Sequence, residues 1–237
     1  MITKAVLFDM GNTLIKFDVG SPEEVFHKVL ASMGIIRSVD EIKRAFWNAE
    51  EEAKNLNLLS LFGKIQREEY WHKWDSLVLK HLCIEEGKEL AKVVQSKWFD
   101  HVDCTPYPEV KMVLSKLKQK ELALGLISNA YEEEINRTLR KASLEKEIFD
   151  IIVGVDTIKS VKPNPDIFRH AISKLNARPE ETIFVGDNAE ADYKGAENAG
   201  LHALLIDRTE NMQRNLRTIR NLKEIFSQID SDFCHRS

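Results

Sequence analysis

The sequence predicts an α/β protein built on a parallel β-sheet with helices on both faces. Five short apolar runs have the length and composition of buried strands, and segments with helical periodicity separate the later runs. Strands that alternate with helices form βαβ units, in which the helices cover a parallel sheet. We predict strands at residues 5–8, 122–127, 151–153, 182–185 and 203–206. We predict covering helices at residues 108–118, 132–141, 165–175 and 189–199.

A long helical segment interrupts this alternation between the first two strands. It has helical patterning at residues 22–33, 39–55, 64–81 and 85–98, with apolar and aromatic positions of its own. Pro22 suits the first turn of a helix, and Ser21 before it is a residue type favoured at the N-cap. The segment is too long for a loop. We therefore predict an all-helical insertion over residues 20–103 and a core formed by residues 1–19 and 104–237.

Length and composition are those of an ordinary globular protein. The chain has 237 residues, of which 43% are hydrophobic and 30% charged, and its formal net charge is -4. Such a chain can bury a core, and its charge does not favour nucleic acid or an anionic membrane as a partner. No apolar run approaches the roughly 20 residues of a membrane span, and the first residues resemble a core strand rather than a signal peptide. We therefore expect a cytoplasmic protein.

The sequence contains three cysteines, Cys83, Cys104 and Cys234, which lie far apart and form no CxxC pair. We expect them to be reduced.

Polar side chains follow four of the predicted strands. In a parallel sheet the carboxyl ends of the strands meet at one edge, where ligands bind near the topological switch point. Taken singly, each of these residues could serve as a turn or helix-cap residue. Together, however, they bring carboxylates, a hydroxyl and an ammonium to one edge of the sheet, and this combination indicates a binding or catalytic site. The residues are Asp9 with Gly11, Asn12 and Thr13, then Ser128 with Asn129, then Lys162, and finally Asp187 with Asp192.

This set of side chains suits phosphoryl transfer. Asp9 can act as a nucleophile that forms an aspartyl-phosphate. Backbone N–H groups of residues 11–13 can bind phosphate oxygens, and the Ser128 hydroxyl and the Asn129 amide can donate to the same oxygens. Lys162 can supply positive charge to the nucleophile and to the transferring group.

The acidic pair at the last of these strand ends suits a metal ion. Asp187 and Asp192 can hold Mg²⁺, which prefers carboxylate oxygens and water as ligands. Without a cation, Asp9 and a phosphate dianion would repel each other. The sequence therefore predicts Mg²⁺ as the cofactor and a small phosphorylated molecule as the substrate.

The four motifs resemble those of the haloacid dehalogenase-like hydrolase superfamily. In this sequence they are Asp9-Met-Gly-Asn-Thr13, Ser128, Lys162 and Gly186-Asp187-Asn-Ala-Glu-Ala-Asp192, in that order. A helical insertion between the first and second motifs marks the subfamily with a cap at that place. The resemblance implies a Rossmann-like core with an inserted all-helical cap that closes over the site and selects the substrate.

The same resemblance implies roles for individual residues. Asp9 would be the nucleophile and would contact Mg²⁺ together with the backbone carbonyl of Gly11 and with Asp187. Asp192 would support the metal directly or through water. Lys162 would stabilise charge on the nucleophile and on the transferring group.

Position 11 departs from the family pattern. Family phosphatases usually carry a second aspartate two residues after the nucleophile, which protonates the leaving oxygen and later accepts a proton from water. Gly11 keeps a backbone carbonyl but has no side chain, and general acid–base catalysis is typically worth about 10²–10⁴-fold. We therefore predict a phosphoric monoester hydrolase, slowed where the leaving group needs an acid, that acts on a small phosphorylated metabolite as a monomer or homodimer.

Two alternatives stay open on the sequence. A 2-haloacid dehalogenase or a phosphonatase also lacks that aspartate. The dehalogenase needs no metal, however, and the phosphonatase needs a cap lysine, for which Lys54, Lys64 and Lys73 are candidates by location. The other alternative is a non-catalytic phosphate-binding or protein-interaction module, against which the retention of Asp9 and Lys162 argues.

Overall fold

The chain forms two compact units in a computed structural model that describes residues 3–18, 20–84, 87–208 and 216–234. The first unit comprises Met1–Lys16 with Thr105–Ser237, and the second comprises Phe17–Cys104. None of the helices in these described ranges is both long enough and apolar enough to span a bilayer. The assignment of residues 20–103 to a substrate-selecting cap stays a prediction.

Parallel strands build the first unit, as predicted. Among the described residues, six strands form one sheet in the order β5-β4-β1-β6-β7-β8, and each neighbouring pair is parallel. The two remaining strands, β2 and β3, pair in a small sheet of their own. In chain order the strands are β1 (Ala5–Phe8), β2 (Ile15–Phe17), β3 (Cys104–Pro106), β4 (Ala123–Ile127), β5 (Ile151–Val153), β6 (Thr182–Gly186), β7 (His202–Ile206) and β8 (Thr218–Ile219).

Helices make up most of the rest of the described chain. The four long helices of the second unit are α1 (Pro22–Ser32), α2 (Val39–Asn55), α3 (Arg67–His81) and α4 (Gly87–Trp98). The helices of the first unit are α5 (Val110–Gln119), α6 (Glu132–Lys141), α7 (Val155–Ile158), α8 (Pro165–Lys174), α9 (Gly195–Asn198) and α10 (Ile225–Cys234).

Strand β1 lies at the centre of the sheet and is apolar on both faces. All four of its residues are buried, because β4 and β6 flank it and helices cover each face. On one face Leu7 packs with Phe184 of β6 and Phe168 of α8 in a single apolar cluster. The rings of Phe168 and Phe184 meet edge to face, with centroids 5.0 Å apart. This packing fixes the strand that ends at Asp9.

The second unit has its own core, formed by the apolar stripes of its four helices. Phe26 of α1 meets Phe46 of α2 edge to face at 5.4 Å between ring centroids. Helix α2 begins with a capping box in which the Ser38 hydroxyl accepts from the Glu41 N–H and the Glu41 carboxylate accepts from the Ser38 N–H. The aromatic residues predicted for the insertion therefore form packed structure within it.

Some element bounds differ from the predicted ones. The helix predicted over residues 189–199 is a π-helical turn (Ala189–Lys194) followed by α9. The helix predicted from residue 64 begins at Arg67, and the one predicted from residue 85 begins at Gly87, with 85 and 86 outside the described residues. Strands β2, β3 and β8 were not predicted, because none of them contains a continuous apolar run of three residues like that of β5.

Candidate active site

A buried lysine lies between two buried aspartates in the first unit. Lys162 Nζ lies 2.6 Å from Asp9 Oδ1 and 2.7 Å from Asp192 Oδ1. The lysine also donates to the carbonyl oxygen of Ile127, the last residue of β4, at 3.1 Å. The three charged side chains are between 2% and 11% exposed, so little water screens them. Two carboxylates against one ammonium leave an excess of negative charge.

Burial and these neighbours shift the pKa values of the site. Burial raises the pKa of Asp9 to about 6, against the opposing attraction of Lys162, and the nearby Asp192 carboxylate contributes to the rise. Burial disfavours the charged form of Lys162, but Asp9 and Asp192 outweigh it and raise the pKa of the ammonium. Burial and Asp192 also raise the pKa of Asp187. Additional positive charge would therefore stabilise the ionised site.

Three carboxylates converge as a possible metal site. Asp9, Asp187 and Asp192 each offer an oxygen, and these oxygens lie within 4.8 Å of one another. Asp192 is engaged by the protein through both of its oxygens, because Oδ2 accepts from the Asn188 N–H at 3.0 Å and Oδ1 contacts Lys162. Asp9 and the more exposed Asp187 therefore have the greater remaining capacity to bind a cation, and oxygen donors of this kind fit Mg²⁺.

The π-helical turn after β6 places Asp192 at the site. Asn188 caps this turn, since its side-chain Oδ1 accepts from the N–H groups of Glu190 and Ala191. Gly186 ends β6 and lies directly under Asp192, where an added Cβ would come within 2.4 Å of the Asp192 carboxylate. A glycine at this strand end therefore allows the carboxylate to approach Lys162.

The predicted phosphate-binding turn follows Asp9. The Asp9 N–H donates to the Val185 carbonyl of β6 at 2.9 Å, which holds Asp9 at the end of β1. Asn12 adopts a left-handed conformation, with φ of 53°. Its N–H donates to the Ile15 carbonyl at 2.8 Å. The backbone N–H of Asn12 is therefore already hydrogen-bonded within the turn. The backbone N–H groups of residues 11 and 13 are the candidate donors to a phosphate oxygen.

Two hydroxyl groups of predicted phosphate-binding residues are buried in the first unit, although for Thr13 the sequence predicts a contact through the backbone N–H rather than through the hydroxyl. Thr13 is fully buried, and its hydroxyl makes no hydrogen bond with any residue that the structure describes. A buried hydroxyl without a partner is costly, and a bound oxyanion would satisfy it. Ser128 directly follows β4 and is also buried, with its N–H donating to the Val153 carbonyl at 3.1 Å.

Asn129 lies beside the cluster with its amide bound to the backbone of Lys162. Its Oδ1 accepts from the Lys162 N–H at 2.7 Å, and its Nδ2 donates to the Lys162 carbonyl at 3.0 Å. The sequence predicts a contact between this amide and phosphate, whereas the structure shows a reciprocal pair of hydrogen bonds that fixes the lysine. This pairing could not be read from sequence, because 33 residues separate the partners.

Two charged residues that were not among the predicted site residues lie at the end of the fifth predicted strand. Asp207 and Arg208 directly follow β7. Arg208 donates to the Thr13 carbonyl at 2.6 Å, so it joins the turn after Asp9. The strand-end rule that identified the other residues would have identified this arginine as well.

The sequence matches one protein family over most of its length. A family model described as haloacid dehalogenase-like hydrolase matches residues 3–200. The chain belongs to this family. The predicted resemblance to haloacid dehalogenase-like hydrolases is therefore confirmed, as is the α/β fold that it implies.

Among curated proteins, relatives of this haloacid dehalogenase-like hydrolase include pyrophosphatases. Pyrophosphatase PpaX of Halalkalibacterium halodurans is 35% identical over 129 residues, which are 54% of this chain and 59% of that protein. Pyrophosphatase PpaX of Bacillus anthracis is 29% identical over 141 residues, 58% of this chain and 64% of that protein. The chain thus spans about three fifths of the length of these relatives.

Solved structures of family members resemble the fold over nearly the whole chain. A 2-haloacid dehalogenase from Pseudomonas syringae pv. tomato DC3000 has a TM-score of 0.74 at 19% identity, covering 98% of this chain and 100% of its own. A HAD phosphatase from Thermococcus onnurineus has a TM-score of 0.62 at 23% identity, covering 96% of this chain and 98% of its own. At these identities the likeness shows the fold alone, since one fold hosts several activities.

Proposed function

We propose that this hydrolase is a Mg²⁺-dependent phosphatase that forms an aspartyl-phosphate on Asp9. The observation that carries the proposal is the buried cluster in which Lys162 lies between Asp9 and Asp192, with Asp187 beside them. Membership of a hydrolase family and relatives named pyrophosphatase support phosphatase-type chemistry. The proposed substrate is a small phosphorylated metabolite, for which inorganic pyrophosphate and phosphoric monoesters are the candidates.

Asp9 is the nucleophile in this proposal. Lys162 holds its Oδ1, so Oδ2 attacks phosphorus. A bond forms between Oδ2 and phosphorus, and the bond from phosphorus to the leaving oxygen breaks with its electron pair. Water then attacks the phosphorus of the aspartyl-phosphate and loses a proton to solvent, because Gly11 offers no side chain to accept it. The bond to Oδ2 breaks, which restores the carboxylate and releases inorganic phosphate.

Other residues of the chain bind the phosphoryl group and balance its charge. Lys162 places an ammonium beside the attacking carboxylate, and the Thr13 and Ser128 hydroxyls donate to phosphoryl oxygens. Asn129 and Asp192 act through Lys162, by fixing its backbone and its ammonium. When held by Asp9 and Asp187, Mg²⁺ supplies the positive charge that lets a carboxylate approach a phosphate dianion.

The leaving oxygen gains no proton from the first motif. Gly11 has no side chain, so a proton must come from solvent, or the leaving group must be stable as an anion. The proposed enzyme therefore favours substrates with good leaving groups, such as acyl phosphates and pyrophosphate, over simple alkyl phosphates.

Phosphate release tests the proposal directly. The wild-type chain is incubated with p-nitrophenyl phosphate, acetyl phosphate and pyrophosphate, in Mg²⁺ or in EDTA. We expect release that depends on Mg²⁺ and disappears in Asp9→Asn. The matched control is Asp166→Asn, which changes an exposed aspartate on the first turn of α8 and should behave as wild type. The proposal fails if none of the three substrates gives Mg²⁺-dependent release.

A second assay separates phosphatase from dehalogenase chemistry. The same preparations are incubated with 2-chloropropionate in EDTA, and free chloride is measured. We expect no chloride, because the acidic cluster indicates a metal-dependent reaction. Chloride release that Asp9→Asn abolishes would replace the phosphatase proposal with the dehalogenase alternative.

A further inference from the structure

Arg208 connects the turn after Asp9 to the segment that carries Tyr107 and Glu109 in the first unit. Its Nη2 donates to the Thr13 carbonyl at 2.6 Å, and its Nη1 donates to Glu109 Oε1 at 2.6 Å. The guanidinium lies over the Tyr107 ring, with 3.6 Å from Cζ to the ring centroid. The side chain is 12% exposed, so these contacts form in a largely dry environment. A guanidinium is suited to this task because its planar donors engage several partners at fixed angles.

Glu109 gives this arginine a fixed anchor. The carboxylate is 4% exposed, and it also accepts from the Leu222 N–H at 3.3 Å. Burial opposes ionisation of Glu109, but the hydrogen bond and charge of Arg208, together with backbone donors, lower its pKa. The pair is therefore ionised and held by two chain segments, which limits the movement of Arg208.

We propose that Arg208 is a positioning residue that fixes Thr13 for phosphate binding. The inference rests on the proposed function, because it assigns a purpose to the Thr13 hydroxyl. That hydroxyl is buried and has no partner among the residues that the structure describes. The bond to the Thr13 carbonyl restrains the peptide that carries this hydroxyl, so a phosphate oxygen meets a donor already in place.

This role separates Arg208 from Glu109. Both residues form the buried ion pair, but Arg208 alone contacts the turn after Asp9. In Glu109→Gln, the amide oxygen can still accept from Arg208 and from Leu222, so the bond to Thr13 persists. In Arg208→Met, the ion pair and the bond to Thr13 are both lost, while much of the apolar volume over Tyr107 remains. Glu109→Gln is therefore the matched control for loss of the ion pair.

Two measurements on the full chain test the inference. Inorganic phosphate is titrated into each variant in the presence of Mg²⁺, and amide hydrogen exchange is followed in the peptide that covers residues 10–15. We expect Arg208→Met to bind phosphate about tenfold more weakly than wild type, the factor that corresponds to ~1.4 kcal/mol. We also expect faster exchange in that peptide. Glu109→Gln should stay within about twofold of wild type in both measurements, although both variants unfold at a lower temperature.

A role confined to general stability predicts a different result. It predicts that both variants weaken phosphate binding and speed exchange in proportion to their loss of stability, and that result would overturn the inference. Unchanged exchange at residues 10–15 in Arg208→Met would overturn it as well. A wild-type chain that neither binds nor releases phosphate would refute the proposed function, while hydrogen exchange would still decide whether Arg208 restrains the turn.

Discussion

At the scale of single residues, Lys162 joins the two most buried carboxylates of the site. Its ammonium is the charge that compensates the buried Asp9 and Asp192 carboxylates. When one partner of a buried ion pair is replaced by a neutral residue, the other partner stays buried as an uncompensated charge. This lowers the free energy of unfolding more than loss of a surface ion pair does. The same ammonium would stabilise charge during phosphoryl transfer, so stability and activity should both depend on it.

We expect Lys162→Met to lose both stability and activity. Removal of the ammonium leaves two buried carboxylates without their shared cation and with oxygens within 4.8 Å of each other. We expect the free energy of unfolding to fall by about 3–5 kcal/mol. The rate of p-nitrophenyl phosphate hydrolysis should fall by about 10²–10³-fold. Urea unfolding and steady-state assays measure the two effects. The control Lys118→Met removes a partner from an exposed pair with Asp150, and should change stability by about 1 kcal/mol or less. Equal losses in the two variants would contradict this expectation.

In the proposed mechanism, Gly11 leaves the first motif without a side chain that could protonate the leaving oxygen. Gly34, Gly63 and Gly200 have positive φ, whereas Gly11 does not, so its backbone accepts a side chain without left-handed strain. An aspartate here would supply the acid–base group that the first motif lacks.

We expect Gly11→Asp to accelerate hydrolysis of alkyl phosphates more than that of acetyl phosphate. The poorer leaving group gains more from a proton donor, with an upper limit of about 10²–10⁴-fold. The ratio of kcat/KM for the two substrates measures the effect. The ratio in Gly11→Asn, which has similar size and no acid, should match that of wild type. An unchanged ratio in Gly11→Asp would show that another step limits turnover.

At the scale of elements, helices α3 and α4 enclose an unusual carboxyl group. Asp75 of α3 is buried in the second unit, and its Oδ2 accepts from Gln95 Nε2 of α4. Burial raises its pKa from the ordinary 3.8 to about 8, against the opposing effect of the Gln95 hydrogen bond. The folded unit therefore holds this group protonated at neutral pH.

The raised pKa predicts a pH-dependent stability. Between about pH 4 and pH 8 the folded chain retains a proton that the unfolded chain releases, so stability falls as the pH rises through this window. We expect Asp75→Asn, which has no proton to lose, to remove the part of this fall that Asp75 contributes, while the raised pKa of Asp9 keeps its own contribution up to about pH 6. Urea midpoints at pH 5 and pH 8 measure the slope. Asp40→Asn, at an exposed position of α2, should keep the wild-type slope. The same slope in Asp75→Asn and wild type would contradict the assignment.

At the scale of the whole molecule, the site brings together residues that are far apart in sequence. Asp9 and Lys162 are separated by 153 positions. Strand order explains the convergence, because β1 lies between β4 and β6. Asp9, Ser128 and Asp187 directly follow these three neighbouring strands. The parallel sheet thus places its polar strand ends together without contacts local in sequence.

Metal binding should stabilise the entire folded chain. A ligand that binds only the folded state stabilises it by about 2.7 kcal/mol at 100 times its Kd. We expect Mg²⁺ to raise the thermal midpoint relative to EDTA, and Asp187→Asn to lose most of this increase. Glu190→Gln changes an exposed neighbour on the π-helical turn and should keep the increase. Identical midpoints in Mg²⁺ and EDTA for the wild type would contradict a metal site at Asp187.

Local sequence patterns determined the fold class and most of the candidate residues. Apolar runs marked the strands because buried strands are short and continuous, and a polar residue after each run marked the edge where ligands bind. Asp9, Ser128 and Asp187 could be chosen in this way, since each directly follows its strand, whereas Lys162 lies beyond α7 in the connection after β5. The order of motifs then indicated the family.

Only the tertiary structure decided how those residues are used. The two oxygens of Asp192 contact the Asn188 N–H and the Lys162 ammonium. In the folded chain the Asn129 amide binds the backbone of Lys162, and Arg208 donates to the Thr13 carbonyl. These contacts join segments distant in sequence, and they depend on strand order and on the direction of each side chain. Periodicity specifies which face of an element a residue occupies, whereas packing of the complete chain determines which partner it meets there.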